Sequence, residues 1–591
     1  MFGRVRIDLA LDEQKRIDIV EHNKKVTKNR EILKRFIDVV CFLGTQELAF
    51  RAHDERKDST NRGNYIELIK LLSLYDEKLA THLQEASVFS GISNHIQNDL
   101  IESVASIMMD SIKAEIKECM FVAILLDETS NVSNHSQLST MVRYVTKSGY
   151  VCEGFLGFTD VSADRSATAL SKHVIETIQQ LCCGDKFIAQ AYDGAAVMSG
   201  ELNRTQAKVK EVYPKAFFIH CCAHVLNLVL SQSVNHMKEC KLFFSTISGI
   251  SSFFSHSTKR SNALESIIKL KIPHVAPTRW IYNPRLVNTV YHHREQLIEF
   301  FTSIEENPQN WDKDTIVSAG GFLTFLKDFN SVFLLNVFNY IFSHTDLLYN
   351  ILQKKSYEIN HCVSQINETK SKILNFRESF EEQYNAIINL VGEPKKHRKL
   401  PENSNVFYKR IFFEIIDTIS FQITIRFEKL SSLDFIELLN HKKFKDYKAV
   451  FPEKLLTSLK NSYANHFDFV RLANELVVLY SSSSFYEKEI FEIFQYIKSN
   501  ELEDATPEIF HLCGLIITIP YSSACVERSF SALKRVKTYA RNATGEERLS
   551  SLSLLSIEQE HLHKLKTNDS FYNNVIQHFC KKNRRIELIY K

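Results

Sequence analysis

Three carboxylates occupy positions in the sequence that suit a metal site for phosphodiester chemistry. Asp127 follows the apolar run FVAILL, Asp193 follows the run FIAQAY, and Glu527 lies in the stretch YSSACVERSFSAL near the C-terminus. Short apolar runs that contain β-branched and aromatic residues and stop at polar residues are typical of buried strands. Two strand-end aspartates and one helical glutamate are the ligand types of a two-metal nucleic-acid-processing site.

Each of these carboxylates also has an ordinary structural explanation. Asp127 could be a loop residue that closes a strand, and Glu527 could be a first-turn acid stabilised by the helix dipole. The interval between Asp127 and Asp193 suits one hairpin, one helix and one strand. The much longer interval to Glu527 requires a large insertion between the second and third carboxylates.

The predicted elements around the two aspartates follow the order of an RNase H-like core. The patterns predict five strands and two helices, the strands over 121–126, 138–145, 151–158, 186–192 and 216–221 and the helices over 166–183 and 205–212. This core needs one more helix, which the pattern places after Pro520. On that helix Glu527, Lys534 and Arg541 recur every seven residues, so one stripe would carry a carboxylate and two cations.

The segment between the two parts of this core has helical periodicity almost throughout. We therefore predict a mixed α+β and α/β fold, in which an RNase H-like mixed sheet is split by a large all-helical insertion. The predicted divisions are a helical N-terminal region, the first part of the core, the insertion, and a C-terminal segment with the closing helix, at 1–112, 113–221, 222–508 and 509–591.

Composition limits the classes of partner and compartment. The 73 basic and 70 acidic residues give a net charge of +3, so any contact with DNA must come from local basic patches. The twelve cysteines include no CxxC pairs at zinc spacing, which favours reduced thiols. With no apolar run of signal-peptide or membrane-spanning length, we expect a soluble intracellular protein that has no membrane partner.

Five motifs, in order, resemble those of a known family. They are LDET at 126–129, AYDGAAVMSG at 191–200, HCCAHVLNL at 220–228, TRW at 278–280 and SSACVERSFSALKRVK at 522–537. Together they resemble hAT-type DNA transposases and their domesticated relatives, especially the subgroup linked to MYM-type zinc fingers. The resemblance extends from about residue 48 to about residue 560.

The resemblance implies roles for particular residues. Asp127, Asp193 and Glu527 would be the catalytic carboxylates and would hold two Mg²⁺ or Mn²⁺ ions. Arg279 and Trp280 match an RW pair that meets flanking DNA, where an indole can stack on a base and a guanidinium can bind phosphate. Trp280 could equally be a core aromatic residue.

Two further groups complete the predicted site residues. Lys534 and Arg541 are expected to contact DNA from the closing helix. Cys221 and His224 form a CxxH motif that resembles half of a zinc site. No second ligand pair accompanies it, and the resemblance implies that the motif supports the boundary of the insertion or the DNA end.

The resemblance also implies a function. It predicts a nuclear, magnesium-dependent DDE-type transposase that cleaves and transfers strands at transposon ends, binds flanking and target DNA, and works as a homodimer or higher homo-oligomer. The segment from about 506, which includes Phe530, Leu533, Leu552, Leu554 and Leu555, resembles the family's dimerisation region. No BED- or TTF-like set of zinc ligands is found near the N-terminus. The alternative is therefore a domesticated or decayed dimeric scaffold, associated with DNA or chromatin and catalytically silent.

Overall fold

The computed structural model describes the chain at residues 7–56, 58–86, 89–130, 133–193, 204–233, 236–269, 272–273, 282–354, 359–394, 403–582 and 585–591. It divides the chain into two units. Unit 1 contains residues 1–218 and 518–591, and unit 2 contains residues 219–517. The predicted insertion, 222–508, has edges close to those of unit 2.

Unit 1 begins with four helices, α1 (Ile7–Thr45), α2 (Asn64–Ser73), α3 (Glu77–Glu85) and α4 (Asn94–Glu118). The apolar face of α4 is buried along most of its length. In α1, residues from Val26 to Leu43 contribute a second fully buried stripe. Regular spacing of apolar residues at three and four positions accounts for both buried faces.

A five-stranded mixed sheet follows, with β1 (Val122–Ser130), β2 (Ser136–Val145), β3 (Val151–Asp160), β4 (Phe187–Tyr192) and β5 (Phe217–His220). The strand order is β3-β2-β1-β4-β5. The pairs β1–β2 and β2–β3 are antiparallel, and β1–β4 is parallel. The crossover from β3 to β4 contains α5 (Ala167–Gln180), and α6 (Thr205–Val212) precedes β5.

The first strand is longer than the sequence pattern indicates. The prediction ended it at Leu126, whereas β1 continues to Ser130 and contains Asp127. The reason is the partner strand: β2 pairs with β1 at every residue from Val122 to Ser130, so its backbone bonds carry the strand past the last apolar side chain. Asp127 is therefore a residue within a strand and not a loop residue.

The C-terminal part of unit 1 is helical. Helices α22 (Ala524–Val536), α23 (Glu546–Ile557), α24 (Gln559–Lys566) and α25 (Ser570–Phe579) cover it, with a short 3₁₀ turn at Tyr539–Arg541. Helix α22 packs on β1 and β2, and α23 packs on β3, α1, α4 and α22. The sheet is therefore covered by segments from both ends of the chain.

Unit 2 is helical in the part of the chain that is described. Its helices are α7 (Cys222–Ser233), α8 (Lys238–Ser255), α9 (Thr258–Ile268), α10 (Tyr282–His292), α11 (Arg294–Glu306), α12 (Lys313–Lys327), α13 (Phe329–Leu352), α14 (Ile359–Asn375), α15 (Phe380–Val391), α16 (Ser404–Phe427), α17 (Phe444–Ala449), α18 (Glu453–Tyr463), α19 (Phe469–Ser481), α20 (Ile490–Ser499) and α21 (Pro507–Thr518, the last residue of which belongs to unit 1). Clustered phenylalanines form its core. For example, Phe244 lies 4.7 Å from Phe338 between ring centroids, and Phe253 lies 5.6 Å from Phe301.

Helical periodicity predicts single helices over 64–83, 322–352 and 455–479, but each of these segments contains parts of two helices. Asp76 interrupts the helix predicted over 64–83 because its carboxylate accepts the backbone N–H of Leu79 and caps α3. Asp328 and Asp468 cap α13 and α19 in the same way. An aspartate on the polar face of a periodic segment looks the same in sequence as an aspartate that starts a new helix.

No helix among the described residues is long and apolar enough to cross a membrane.

Candidate active site

Asp127 is held at the centre of the sheet. It lies in β1 opposite Ser139 of β2, and 9% of its surface is exposed. Its Oδ1 accepts the backbone N–H of Glu128 at 2.8 Å. Such a bond to a carboxylate stabilises the charged form and orients one of its two oxygens.

Asp193 follows the strand next to β1. In the parallel β1–β4 pair, Leu126 is opposite Tyr192. Asp127 directly follows Leu126, and Asp193 directly follows Tyr192. Neighbouring strands lie about 4.8 Å apart. The register therefore places Asp127 and Asp193 side by side, at the carboxyl end of β4.

A buried polar network fixes β4 just before Asp193. The Tyr192 hydroxyl donates to the Gln190 side-chain oxygen at 2.7 Å. The Gln190 amide donates to the carbonyls of Gln206 and Ala216 at 3.2 and 3.0 Å. These bonds connect β4 to α6 and to the residue before β5, so the end of β4 is positioned from both sides.

Glu527 lies in the first turn of α22, where the sequence places it. Its backbone N–H donates to the Ser523 carbonyl at 3.2 Å. Two residues further on, the Ser529 hydroxyl is 2.8 Å from the Ser139 hydroxyl, and Ser139 is the cross-strand neighbour of Asp127. This buried contact holds the start of α22 against β2, the strand next to the one that carries Asp127.

Three ion pairs lie beside the carboxylates. Arg165 contacts Glu128 at 2.7 Å, next to Asp127. Glu153 of β3 binds the buried Arg143 guanidinium at 2.8 Å and the Arg528 guanidinium at 3.4 Å. Because Arg528 follows Glu527 directly, its pair with Glu153 connects α22 to the sheet.

The donor set suits hard divalent cations, since all three side chains offer carboxylate oxygens. Among the described residues, no group of three or more His, Cys, Asp or Glu side chains has a metal-holding arrangement. What the structure shows is therefore the register of two aspartates and the placement of the helix that carries the glutamate. The roles of all three as metal ligands stay predictions.

The predicted cationic stripe on the closing helix is wrong in one respect. Lys534 is exposed on α22, but that helix ends at Val536 and Arg541 lies in the following 3₁₀ turn. Arg541 donates to the Glu47 carbonyl at 3.1 Å. The sequence spacing suggested one continuous helix, whereas Lys537 adopts a non-helical conformation that ends it.

The remaining predicted residues have mixed outcomes. Arg279 and Trp280 lie outside the described residues. Cys221 is buried between β5 and α7, and His224 lies one turn into α7, with its ring 5.8 Å from that of His220. The positions agree with a structural role at the start of unit 2, and that role stays a prediction.

Sequence reasoning missed two arginines. Arg51 lies in a segment that the sequence predicts only as a polar loop. Arg548 directly precedes the apolar run of α23. Both donate to the side-chain oxygen of Asn98. Arginines are common in loops and on helix surfaces, so neither position stands out in the sequence.

Two parts of the chain match known families. Residues 8–204 match the ZMYM1/FAM200 RNase-like domain, and residues 475–561 match the hAT family C-terminal dimerisation region. Together these matches confirm the resemblance that the five motifs carry. The first contains Asp127 and Asp193, and the second contains Glu527.

Curated relatives align over most of the chain. The human protein named "52 kDa repressor of the inhibitor of the protein kinase" is 20% identical over 598 residues, which covers 93% of this chain and 77% of that protein. The mouse protein of the same name is 22% identical over 600 residues, with 91% and 76% covered. The similarity therefore extends across both units.

Proposed function

Because this chain belongs with the hAT-type transposases and transposase-derived proteins, we propose that unit 1 is an RNase H-like core, split by unit 2, that cleaves and transfers DNA strands. One observation carries the proposal. Asp127 and Asp193 each follow a paired residue of the parallel strands β1 and β4, and the helix that bears Glu527 packs on β1 and β2. The three carboxylates come from three separate segments of unit 1, and this placement supports the proposal.

The chain's own residues would bind and position the DNA. Two Mg²⁺ or Mn²⁺ ions held by Asp127, Asp193 and Glu527 would supply electrostatic stabilisation of the attacking and leaving oxygens. Arg279 and Trp280 would hold phosphate and a base of the flanking DNA, and Lys534 would add a phosphate contact from α22. The substrates would be transposon ends, flanking DNA and target DNA, handled by a homo-oligomer in the nucleus.

Nicking of supercoiled plasmid tests this function. In Mg²⁺ or Mn²⁺ we expect the full chain to nick DNA, and Asp193→Asn and Glu527→Gln to lower the rate at least about 100-fold, since each removes several kcal/mol of transition-state stabilisation. The control is Asp164→Asn, an exposed aspartate of the same unit. Equal nicking by wild type and both site variants would contradict the proposal.

A second candidate is a catalytically silent, dimeric scaffold associated with DNA or chromatin. Two observations favour it: both relatives are named as repressors, and residues 475–561 match a dimerisation region. The same assay discriminates the candidates. A folded dimer that binds DNA without nicking it, in wild type and variants alike, supports the scaffold.

A further inference from the structure

A large cavity of unit 1 lies outside the carboxylate region. Its volume is about 1360 Å³, and it lies between the loop at 48–53 and the start of α23, with Asn98, Phe158 and Val536 also in its wall. Pockets for small molecules occupy about 300–1,000 Å³. The volume therefore suits a segment of a polymer better than a single small ligand.

Three arginines line this cavity: Arg51, Arg541 and Arg548. Arg51 donates to the Asn98 Oδ1 at 2.8 Å and to the Asn94 carbonyl at 3.2 Å. Arg548 donates to the same Oδ1 of Asn98 and lies over the Phe50 ring, 5.4 Å from its centroid. One neutral amide oxygen thus holds two guanidinium groups side by side.

Among the described residues, neither Arg51 nor Arg548 forms an ion pair with a carboxylate. Glu546 lines the cavity, but its carboxylate accepts the backbone N–H of Asp160 at 2.9 Å. Glu547 also lines it and is exposed to solvent. Glu55 lies near enough to Arg548 to favour its charged form, but the structure contains no ion pair between them.

The two like charges act on each other. Burial, with the nearby Arg51 charge, lowers the pKa of Arg548 to about 10, against a smaller opposing effect of Glu55. Like charges held together in a partly desolvated place raise the free energy of the unliganded protein. An anion that binds between them relieves this repulsion, and each planar guanidinium keeps N–H donors beyond those that Asn94 and Asn98 use.

We propose that Arg51 and Arg548 bind a backbone phosphate of DNA in this cavity. The inference rests on the DNA association in the proposed function, and it holds whether or not the protein cleaves strands. Val536, in the cavity wall, follows Glu527 by nine residues on α22, about 14 Å along the helix axis. Four base pairs of B-DNA span about the same length, so one duplex can reach both regions.

The test is the salt dependence of binding to a labelled random-sequence duplex. Each phosphate contact contributes about 0.9 to the slope of log K against log salt concentration. Measured by fluorescence anisotropy from about 50 to about 200 mM salt, Arg51→Gln and Arg548→Gln are each expected to lower the slope by about one unit. Arg548→Lys keeps the charge but loses the planar fork, so we expect weaker binding with little change in slope.

Arg56→Gln is the matched control. Arg56 is an exposed arginine close to Arg51 in sequence, but it does not line the cavity and Asp54 neutralises it at 3.1 Å. Its substitution changes the net charge by the same amount and is expected to leave the slope unchanged. Because Arg51 is exposed, Arg51→Gln is expected to fold normally, and thermal unfolding checks this for every variant.

Three outcomes overturn the proposal. If folded Arg51→Gln and Arg548→Gln keep the wild-type slope, the proposed phosphate site is ruled out and the proposed function is unaffected. Absence of duplex binding by every form, wild type included, removes both. Thermal stabilisation by inorganic phosphate that Arg51→Gln abolishes, with an unchanged DNA slope, assigns the site to a small free anion instead.

Discussion

At the scale of residues, polar contacts connect the strand that carries Asp127 to its neighbours. Asp127 accepts a backbone N–H, and Ser139 opposite it contacts Ser529 of α22. A second polar contact lies one residue along β2, where the Thr140 hydroxyl is 2.9 Å from the His173 Nε2 of α5. The surroundings of His173 therefore report on how the helices pack against the strands of the candidate site.

His173 gives a pH prediction. Burial lowers its pKa from the usual value near 6.5, against a smaller opposing effect of Glu176. The unfolded chain therefore binds the proton more readily, so the stabilisation is complete above about pH 6.5 and is lost as pH falls through that value toward the lower folded pKa. Denaturant titrations at about pH 7.5 and about pH 5 lie on either side of the ordinary histidine pKa. Between these two conditions, we expect His173→Gln to lose less stability than wild type.

The size of that difference is limited by one proton, which corresponds to about 1.4 kcal/mol per pH unit. His95→Gln, which replaces an exposed histidine of the same unit, is measured beside it as the matched substitution. Identical slopes for His173→Gln and wild type would show that His173 is protonated equally in the folded and unfolded chain.

At the scale of elements, α23 connects the two ends of unit 1. Gly44 of α1 faces the buried Leu555 of α23, and the Cβ of an alanine at that position would lie 2.6 Å from Leu555 Cδ2 and 3.1 Å from its Cβ. The absence of a side chain at Gly44 is therefore what lets these helices approach.

Gly44→Ala is expected to destabilise unit 1 by about 1–3 kcal/mol, because the buried Leu555 has little room to move. Gly321→Ala is the matched substitution in the interior of α12, where the new Cβ would meet no described heavy atom within 4 Å. It should stabilise the protein by about 0.4–1 kcal/mol through the lower entropy of the unfolded chain. Calorimetric scans of the full chain measure both effects, and a shift of the same sign in the two variants would contradict the packing argument.

The elements also show what the sequence can and cannot predict. The strands that carry Asp127 and Asp193 were found because apolar runs between polar stops are a local signal. The helix breaks at Asp76 and Asp328 were missed, since capping depends on which backbone N–H the carboxylate meets. The convergence of Arg51 and Arg548 could not be predicted at all, because it depends on the packing of α23 against distant segments.

At the scale of the whole molecule, the dimerisation region has two kinds of apolar residue. Leu552, Leu554 and Leu555, which the sequence associates with dimerisation, are buried within unit 1. In contrast, Val477 and Val478 of α19 are 51% and 61% exposed. Both sets lie in the matched segment 475–561, so one set supports the fold and the other is available to a second copy.

Substitutions in the two sets should therefore have different consequences. Leu555→Ala is expected to lower the stability of unit 1 by about 2–5 kcal/mol, because it leaves a cavity in the core.

The double variant Val477→Asp, Val478→Asp is expected to keep the wild-type unfolding temperature but to elute as a monomer, since two carboxylates at an apolar contact would be desolvated without partners. Light scattering after gel filtration measures the mass, with wild type expected as a dimer or higher homo-oligomer. If the double aspartate variant keeps the wild-type mass at equal concentration, the contact surface does not include this face of α19. The proposed strand transfer handles two DNA ends together. A folded monomer of the double aspartate variant should therefore bind a single duplex with the wild-type salt dependence, but it should fail to pair two duplexes.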